Sequence, residues 1–301
     1  EREGGAVVEG LEFAARFDLA RGALASLSYH GEELFSRGIS LNLWRAPIDN
    51  DRNQAKEWRK AGYDRFEERL ARLERRWVGK DVFQLRATSV VAPRGEAPLF
   101  DRTTLYTVYG SGDVLVEVRL EPRRELPPLP RAGLTFRMPG RFHTFTWFGL
   151  GPHDCYVDRK ESGRLAVHRA TVDELYVPYI KPQEYGNKAE VRWGAITDKR
   201  GTGLFVGGMP RLEMSVHGYD LEALSTARHA HELVRLDETV VYVDYRQSGI
   251  GNDSCGDVPP LPQYLIPAQP LAFAVRLRAY SEGAISPALL WREPVEPVAW
   301  E

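Results

Sequence analysis

Apolar and polar residues alternate along much of the chain, and this period of two is typical of half-buried β-strands. In residues 114–120 every second position is Val or Leu, whereas Glu117 and Arg119 occupy the opposite face. Residues 102–109 are rich in Thr, Tyr and Val, and the turn-forming residues 110–113 join them to this run. The two runs therefore predict an antiparallel hairpin.

The same alternation recurs later in the chain. The odd-numbered positions from Leu271 to Leu277 are apolar and are expected to face inward, whereas Arg276 and Arg278 are expected to face outward. This pattern predicts a strand over residues 271–280. Shorter strands are predicted for residues 203–207, 212–217 and 240–245.

Helical patterns are scarce. The best candidate covers residues 54–73, where apolar residues share one side of a helical projection that Gly62 interrupts, and Asn50 and Asp51 just upstream could cap it. A weaker candidate covers residues 225–229. We therefore predict one or two short helices in an otherwise all-β chain. The apolar residues of the first candidate are Trp58, Phe66, Leu70 and Leu73.

Turn-forming residues are frequent, with 27 Gly and 20 Pro spread between the short runs. Many short strands separated by turns favour an all-β sandwich or barrel over a βαβ array. The 301 residues are enough to bury a large core. We predict one β domain over residues 1–282, followed by a tail, residues 283–301, that forms an extended arm or a ragged end.

Composition excludes several classes of protein. Forty basic and 42 acidic residues leave a formal charge of −2, which gives no field that favours nucleic acid or an anionic membrane. No apolar stretch approaches the ~20 residues that a membrane-spanning helix needs. Cys155 and Cys255 are too few for a disulfide framework. We expect both to be free thiols in a reducing cytosol, which predicts a cytoplasmic protein.

General motifs of catalysis and metal binding are weak. His229 and His231 are two residues apart, so on a strand they would share a face and could both bind a metal ion. We identify no nearby carboxylate or thiol pair that completes such a site, and we assign no metal. The remaining carboxylates are expected to serve turns or ion pairs, since sequence alone does not set any two of them opposite each other. The candidates are Asp49, Asp51, Glu184 and Asp253.

Aromatic residues make up 11% of the chain, and several stand beside Gly or Pro in predicted loops. Their flat rings could stack on a sugar, but they could equally fill the core of a sandwich, and we favour the core. These residues are Trp44, Trp147, Tyr156, Tyr176, Tyr179 and Tyr185.

Four strings, in order, carry a resemblance to a known family. Residues 43–51 (LWRAPIDND) are similar to the opening signature of the C-terminal domain of family 2 β-galactosidases, also called the small chain. Residues 147–159 (WFGLGPHDCYVDR) resemble the central motif of that domain, and residues 176–187 (YVPYIKPQEYGN) follow at the expected distance. Residues 249–256 (GIGNDSCG) complete the series. Four ordered motifs are much more specific than any one of them.

This resemblance implies a large antiparallel supersandwich similar to the galactose-mutarotase fold, in agreement with the strand pattern. In the family, two glutamates on a separate (β/α)₈ barrel hydrolyse terminal β-D-galactosides with retention, one as acid/base and one as nucleophile. This chain is too short to include that barrel, and it has no Asn-Glu dipeptide of the kind that carries the acid/base. We therefore assign no catalytic residue here and expect the chain alone not to cleave galactosides.

The resemblance also implies partners. The chain is expected to complete the rim of the active site together with the catalytic barrel domain or large subunit of the same β-galactosidase. The full enzyme is expected to bind a galactoside and to be an oligomer. It implies no cofactor in this chain, because the Mg²⁺ and Na⁺ that parent enzymes often use would lie outside it. Whether the chain is a fragment or a separate small subunit is left open.

In relatives, the loop that corresponds to residues 249–256 reaches the mouth of the active site, where a Trp forms an apolar platform for the sugar. Here Cys255 stands at that position, and a small polarizable thiol could still line the subsite. The predicted substrate-binding residues are those of this loop together with two from the opening motif. They are Cys255, Asp253, Ser254, Asn50 and Asp51.

Three further residues of the signatures carry no assigned chemistry: His153, Asp158 and Glu184. An alternative function gives two of them a role. A fold similar to that of the mutarotases could act as an autonomous aldose 1-epimerase, with a Glu base and a His acid drawn from Glu184, His153 and His217. A free-standing carbohydrate-binding module is a further alternative, prompted by the loop aromatics.

Overall fold

The computed structural model describes residues 5–251, 258–293 and 295–300. Within them the strands form two antiparallel sheets. The first sheet has four strands in sequence order: β1 (Gly5–Glu9), β2 (Phe13–Asp18), β3 (Ala23–Tyr29) and β4 (Glu32–Glu33). The second sheet has twelve: β5 (Arg37–Asn42), β6 (Phe66–Val78), β7 (Val82–Pro93), β8 (Phe100–Tyr109), β9 (Asp113–Pro122), β10 (Arg131–Pro139), β11 (Thr144–Gly151), β12 (Arg164–Thr171), β13 (Lys188–Thr197), β14 (Thr202–His217), β15 (Glu238–Gln247) and β16 (Leu271–Ser281).

The larger sheet divides at its longest strand, β14, and this division curls it around the core. One edge of β14 pairs with β13. The other edge pairs with β16 along its first half and with β15 along its second half. One branch continues from β16 through β9, β8 and β7 to β6, and the other continues from β15 through β10 to β5. Apolar side chains from both branches belong to one hydrophobic cluster.

The small sheet packs on the same core. Phe17 of β2 is fully buried, and its ring lies 6.0 Å from that of Phe83 and 5.4 Å from that of Tyr106. These rings belong to strands β7 and β8 of the large sheet. The two sheets therefore share one hydrophobic core in the described part of the chain.

Most of the predicted strands are confirmed. Residues 102–109 and 114–120 lie in β8 and β9, which pair as the predicted hairpin, with Gly112 in the turn at a φ of +90°. Residues 271–280 and 240–245 lie in β16 and β15. The two short strands predicted at residues 203–207 and 212–217 are halves of the single strand β14. No helix of the described residues has the length and apolar character of a membrane span.

The predicted helix over residues 54–73 is wrong in its second half. Helix α1 covers Gln54–Ala61 and ends at Gly62, whose φ of +95° lets its N–H bond to the carbonyls of Trp58 and Arg59. The chain then enters strand β6 at Phe66.

The apolar residues of strand β6 have the spacing of a helix because the strand contains a β-bulge. The pairing of β6 with β7 shifts register between Leu70 and Arg72. In a regular strand, Leu70 and Leu73 would point to opposite faces, because their separation of three is odd. The extra residue brings both onto the core side, together with Phe66. The resulting spacing of apolar residues is close to that of a helix.

Two further helices are short: α2 (Leu221–Thr226) and α3 (Pro287–Arg292). The first overlaps the weaker helix predicted at residues 225–229. The second lies in the tail that we expected to be an extended arm or a ragged end, and it packs on β13. The domain boundary at residue 282 remains a prediction.

The tail also explains why Arg276 is buried, although we predicted it to face outward. The Arg276 guanidinium lies 2.7 Å from Asp113 Oδ1 and donates to the backbone carbonyls of Leu290 and Glu293 at 2.6 and 2.7 Å. Residue 276 does point away from the main core, but helix α3 and the residue after it cover it. Alternation in β16 predicted the correct face but could not show that the tail covers it.

Candidate functional site

The structure brings the four sequence motifs together. Residues 43–51 follow β5, residues 147–159 run from β11 into the next loop, residues 176–187 lead into β13, and residues 249–251 of the fourth motif follow β15. The rest of the fourth motif lies outside the described residues. Hydrogen bonds link each motif to another, including Glu184 N–H to Ala46 O (3.1 Å) and Cys155 N–H to Asn187 O (2.7 Å). The motifs are distant in sequence but form one cluster of loops.

Arg45 is the central residue of the first motif. Its side chain is fully buried and forms a bidentate pair with Asp51: Nε donates to Oδ2 at 3.0 Å and Nη2 to Oδ1 at 2.8 Å. The guanidinium also donates to the carbonyls of Ser248 and Gly249. Burial lowers the pKa of Arg45, but the adjacent Asp51 carboxylate more than compensates, so that the pKa is raised. The cation therefore fixes the start of the loop after β15.

Asp158 holds the same loop from the other side. Its carboxylate accepts the backbone N–H groups of Ile250 (3.0 Å) and Gly251 (2.8 Å). Asn50 donates its Nδ2 to Ile250 O at 3.0 Å. A Cβ at Gly249 would lie 2.5 Å from Asp158 Oδ2, so only glycine fits this close approach. The segment 249–251 is thus bonded to two other motifs.

The predicted site residues divide into two groups. Asp253, Ser254 and Cys255 lie outside the described residues. Asn50 and Asp51 belong to the first motif and lie beside the anchored start of that loop. Asp51 is 1% exposed, and its carboxylate accepts from Arg45 and from the N–H of Ile48. Asn50 is only partly buried and bonded to Ile250.

A second layer of buried polar groups lies beneath the loops. Arg131, at the start of β10, pairs with Glu184 (Nη2–Oε1, 3.0 Å) and with Asp244 of β15 (Nε–Oδ2, 3.1 Å). Gln247 donates to Glu184 Oε1 and to Asn187 Oδ1, each at 3.2 Å. Burial raises the pKa of Asp244 well above its ordinary value, despite the opposing charge of Arg131. This network connects β10, β15 and the third motif.

Glu213 of β14 completes the network. Its Oε2 accepts from Asn187 Nδ2 at 2.9 Å and from the Gln247 N–H at 3.3 Å. Burial raises the pKa of Glu213 to about 7, even though these hydrogen bonds favour the carboxylate. The side chain therefore changes charge near neutral pH.

His217, at the end of β14, is 1% exposed and packs edge-on against Tyr185 (4.3 Å between ring centroids) and Tyr242 (5.2 Å). Burial, with the nearby Arg131 and Lys188 cations, lowers the pKa of His217 to about 3. The imidazole is therefore neutral at physiological pH.

The three candidates for epimerase chemistry do not share an environment. His153 is exposed and bonds to Ser162 Oγ at 2.9 Å, whereas Glu184 and His217 are buried. Glu184 is further tied to Arg131 and Gln247. A cleft of about 970 Å³ lies at a different place, between β5, α1, β6 and α2. The epimerase alternative is therefore not favoured.

The preference for the core over sugar stacking is confirmed for four of the six loop aromatics, whereas Tyr176 and Tyr179 are only partly buried. Trp44, Trp147, Tyr156 and Tyr185 are all less than a tenth exposed. Trp44 also donates its Nε1 to Ser225 Oγ of helix α2 at 3.1 Å, which fixes its ring.

Sequence reasoning missed Arg131, Glu213, Asp244, Gln247 and Ser248. A detectable signal existed for two of them. Asp244 interrupts the apolar run of β15, and Arg131 opens a β10 that is otherwise mostly apolar on its buried positions. A lone charge in an otherwise buried strand predicts a buried partner, but it does not identify which one.

The curled antiparallel sheet defines an all-β protein of the galactose-mutarotase-like class, as predicted. A solved structure from Salmonella typhimurium, described as a mutarotase candidate, matches 91% of this chain and 90% of its own at a TM-score of 0.50 and 14% identity. At that identity the likeness concerns the fold alone.

The family itself is shown by sequence. Residues 9–277 match the family model described as beta galactosidase small chain, and the chain belongs to that family. A beta-galactosidase from Priestia megaterium is 32% identical over 265 residues, which cover 86% of this chain and 25% of the relative. One from Actinobacillus pleuropneumoniae is 30% identical over 246 residues, covering 81% and 24%. The chain thus spans about a quarter of the length of these relatives.

Proposed function

We propose that this chain is the non-catalytic C-terminal domain, or the separate small subunit, of a family 2 β-galactosidase, and that it completes the rim of an active site whose glutamates lie on another part of the enzyme. The observation that carries the proposal is the anchored segment 249–251, which Arg45, Asn50 and Asp158 hold from two sides. A rim loop has to be held in one position to define a subsite.

The two carboxylates beside Arg131 support a non-catalytic role. Glu184 and Asp244 are near each other, since both pair with Arg131, but they are 4% and 0% exposed. Glycoside hydrolysis needs two carboxyl groups about 5 to 9.5 Å apart with a sugar between them. Buried carboxylates tied to one guanidinium leave no room for that sugar.

Within this proposal, the substrate-binding residues take different tasks. Cys255, Asp253 and Ser254 would line the subsite. Asp51 would act as a positioning residue, because its carboxylate is buried and already bonded to Arg45. Asn50 would act at the boundary between the anchored segment 249–251 and the subsite, since it is partly exposed and its Nδ2 is bonded to Ile250 O. A cytoplasmic location and an oligomeric full enzyme belong to the same proposal.

Complementation tests the proposal directly. The purified chain is mixed with the barrel-containing remainder of the same β-galactosidase, and hydrolysis of a chromogenic β-galactoside is measured alongside complex formation by analytical ultracentrifugation. We expect both components to be inactive alone and the mixture to be active. Hydrolysis by this chain alone would overturn the proposal, as would a mixture that forms neither complex nor active enzyme.

A further inference from the structure

Helix α2 is followed by a single 3₁₀ turn, Ala230–Glu232, with His229 at its N-cap position. From the sequence we expected His229 and His231 to share a face of a strand, with no nearby carboxylate or thiol pair to complete a metal site. The structure differs on both points. The turn brings Glu232 beside the two imidazoles, and one ligand atom from each of the three side chains lies within 4.8 Å of the others.

The three side chains are held together before any ion binds. Glu232 Oε2 accepts the N–H of Arg228 at 2.9 Å, and its Oε1 lies 3.0 Å from His229 Nδ1. The His231 ring lies 5.3 Å from the His229 ring at an interplanar angle of 15°.

The donor set defines the kind of ion. Two imidazole nitrogens and one carboxylate oxygen suit Zn²⁺ and related borderline divalent ions, whereas Mg²⁺ and Ca²⁺ prefer oxygen ligands alone. Three protein ligands around Zn²⁺ leave a fourth position for water. Because the two rings are nearly parallel, they do not yet aim at one point, and one has to rotate about its Cβ–Cγ bond. Both side chains are exposed, so this rotation meets no buried neighbour and disturbs only the stacking of one ring on the other.

We propose that His229, His231 and Glu232 form a surface binding site for one Zn²⁺ ion or a similar divalent transition metal. The site is separate from the anchored rim loop, and it does not depend on the proposed function. Bound metal would cross-link the turn within residues 227–237, a stretch between α2 and β15 that contains no strand. The next residue, Leu233, packs against the cluster that contains Ala46 and Tyr185. The ion would therefore restrain a segment that adjoins the first and third motifs.

Isothermal titration calorimetry with ZnCl₂ tests this site on the full chain, with any affinity tag removed and with Cys255→Ser as the background so that its thiol cannot compete. We expect one Zn²⁺ per chain, with MgCl₂ giving no heat of binding. Titration with Co²⁺ should produce the visible absorption of a tetrahedral nitrogen and oxygen site. His231→Gln and Glu232→Gln should each weaken binding at least about tenfold, since even outer-shell changes cost that much.

A matched control is available at His30, which lies 3.8 Å from Glu12 and is exposed to a similar degree. In the described part of the chain, no third His, Cys, Asp or Glu joins that pair. His30→Gln should therefore leave Zn²⁺ affinity unchanged. Equal affinity in the parent and in His231→Gln would overturn the proposal. So would an equal loss in His30→Gln, because it would indicate non-specific binding to surface histidines. Circular dichroism checks that each variant keeps the fold.

Discussion

At the scale of single residues, two buried arginines of the motif cluster lie beside buried carboxylates. Arg45 pairs with Asp51, and Arg131 pairs with Glu184 and Asp244. An isolated buried charge is very costly, whereas a buried pair with good geometry nearly breaks even against apolar packing. We infer that these pairs contribute less to stability than to a single arrangement of the loops.

Although the intact pair adds little to stability, removing one member of the Arg45–Asp51 pair should be strongly destabilising, because the other charge stays buried without a partner. In Asp51→Asn, the Arg45 cation stays buried without its carboxylate, and we expect a loss of about 3 to 5 kcal/mol in the free energy of unfolding. Urea denaturation followed by tryptophan fluorescence measures this change.

A matched control is Asp101→Asn. Asp101 pairs with Arg123 at 2.7 Å, but both side chains are exposed, at 40% and 45%. Water already solvates both charges, so the cost should stay below about 1 kcal/mol. Similar losses in the two variants would contradict the view that burial sets the energy of the pair.

Glu213 makes stability depend on pH. Its pKa is about 7 in the folded protein against an ordinary value of 4.5. The folded state therefore binds the proton more tightly than the unfolded state does. Glu213 therefore contributes to the free energy of unfolding fully below pH 4.5. This contribution, about 3 kcal/mol in total, is lost as the pH rises through 7. Glu213→Gln removes the titrating group and can keep an acceptor for Asn187.

The prediction is tested by the difference in unfolding free energy between Glu213→Gln and the parent from pH 4 to 8. His217 has the opposite effect, because its lowered pKa destabilises the fold as the pH falls below 6.5. His217 is present in both proteins, so its effect cancels in the difference. The free energy of unfolding of the variant should rise relative to that of the parent as the pH rises. A difference that stays constant over this range would rule out Glu213 as the titrating group.

At the scale of elements, the junction between α1 and β6 shows how local chemistry redirects the chain. Gly62 ends the helix at a positive φ, and a Cβ there would lie 2.2 Å from Pro93 Cγ. The β-bulge after Leu70 then places apolar residues at a spacing that resembles a helix. The glycine was visible in the sequence as an interruption, but the bulge was not, because it depends on pairing with β7.

Gly62→Ala should be more destabilising than Gly31→Ala. Both glycines have a positive φ, +95° and +80°, but nothing lies within 4 Å of a Cβ at Gly31. Gly31→Ala should cost only the backbone strain, about 1 kcal/mol. Gly62→Ala adds a clash with the ring of Pro93, which raises the loss in the free energy of unfolding to about 2 to 4 kcal/mol. Thermal unfolding compares the two, and equal shifts in Tm would contradict the role of Pro93.

At the scale of the whole molecule, the fold collects motifs from four parts of the chain at one group of loops. The chain covers about a quarter of its relatives, so under the proposed function this group of loops would face the rest of the enzyme. The remaining sequence-derived signature residue, His153, is exposed and bonded to Ser162.

Asp158 offers a test in the assembled enzyme that rests on the proposed function. Asp158→Asn replaces one of the oxygens that accept from Ile250 and Gly251 with an amide donor, which would face an N–H group. We expect galactosidase activity to fall about tenfold or more while the complex still forms, because a displaced rim loop misplaces the substrate.

The matched control is Asp173→Asn. Asp173 is exposed and its carboxylate pairs with Arg235, and among the described residues no hydrogen bond joins this carboxylate to segment 249–251, so its loss should leave activity unchanged. Full activity in Asp158→Asn would show that the anchored segment does not position substrate.

Sequence by itself determined the all-β class, most strands, the hairpin of β8 and β9, and the family, because alternation and contiguous motifs are local properties of the chain. Tertiary structure decided what depends on distant partners: the bulge of β6, the cover over Arg276 and the Arg131 network. A residue's burial and charge partner are set by segments up to about two hundred positions away, as Arg45 and Ser248 show. No local pattern contains that information.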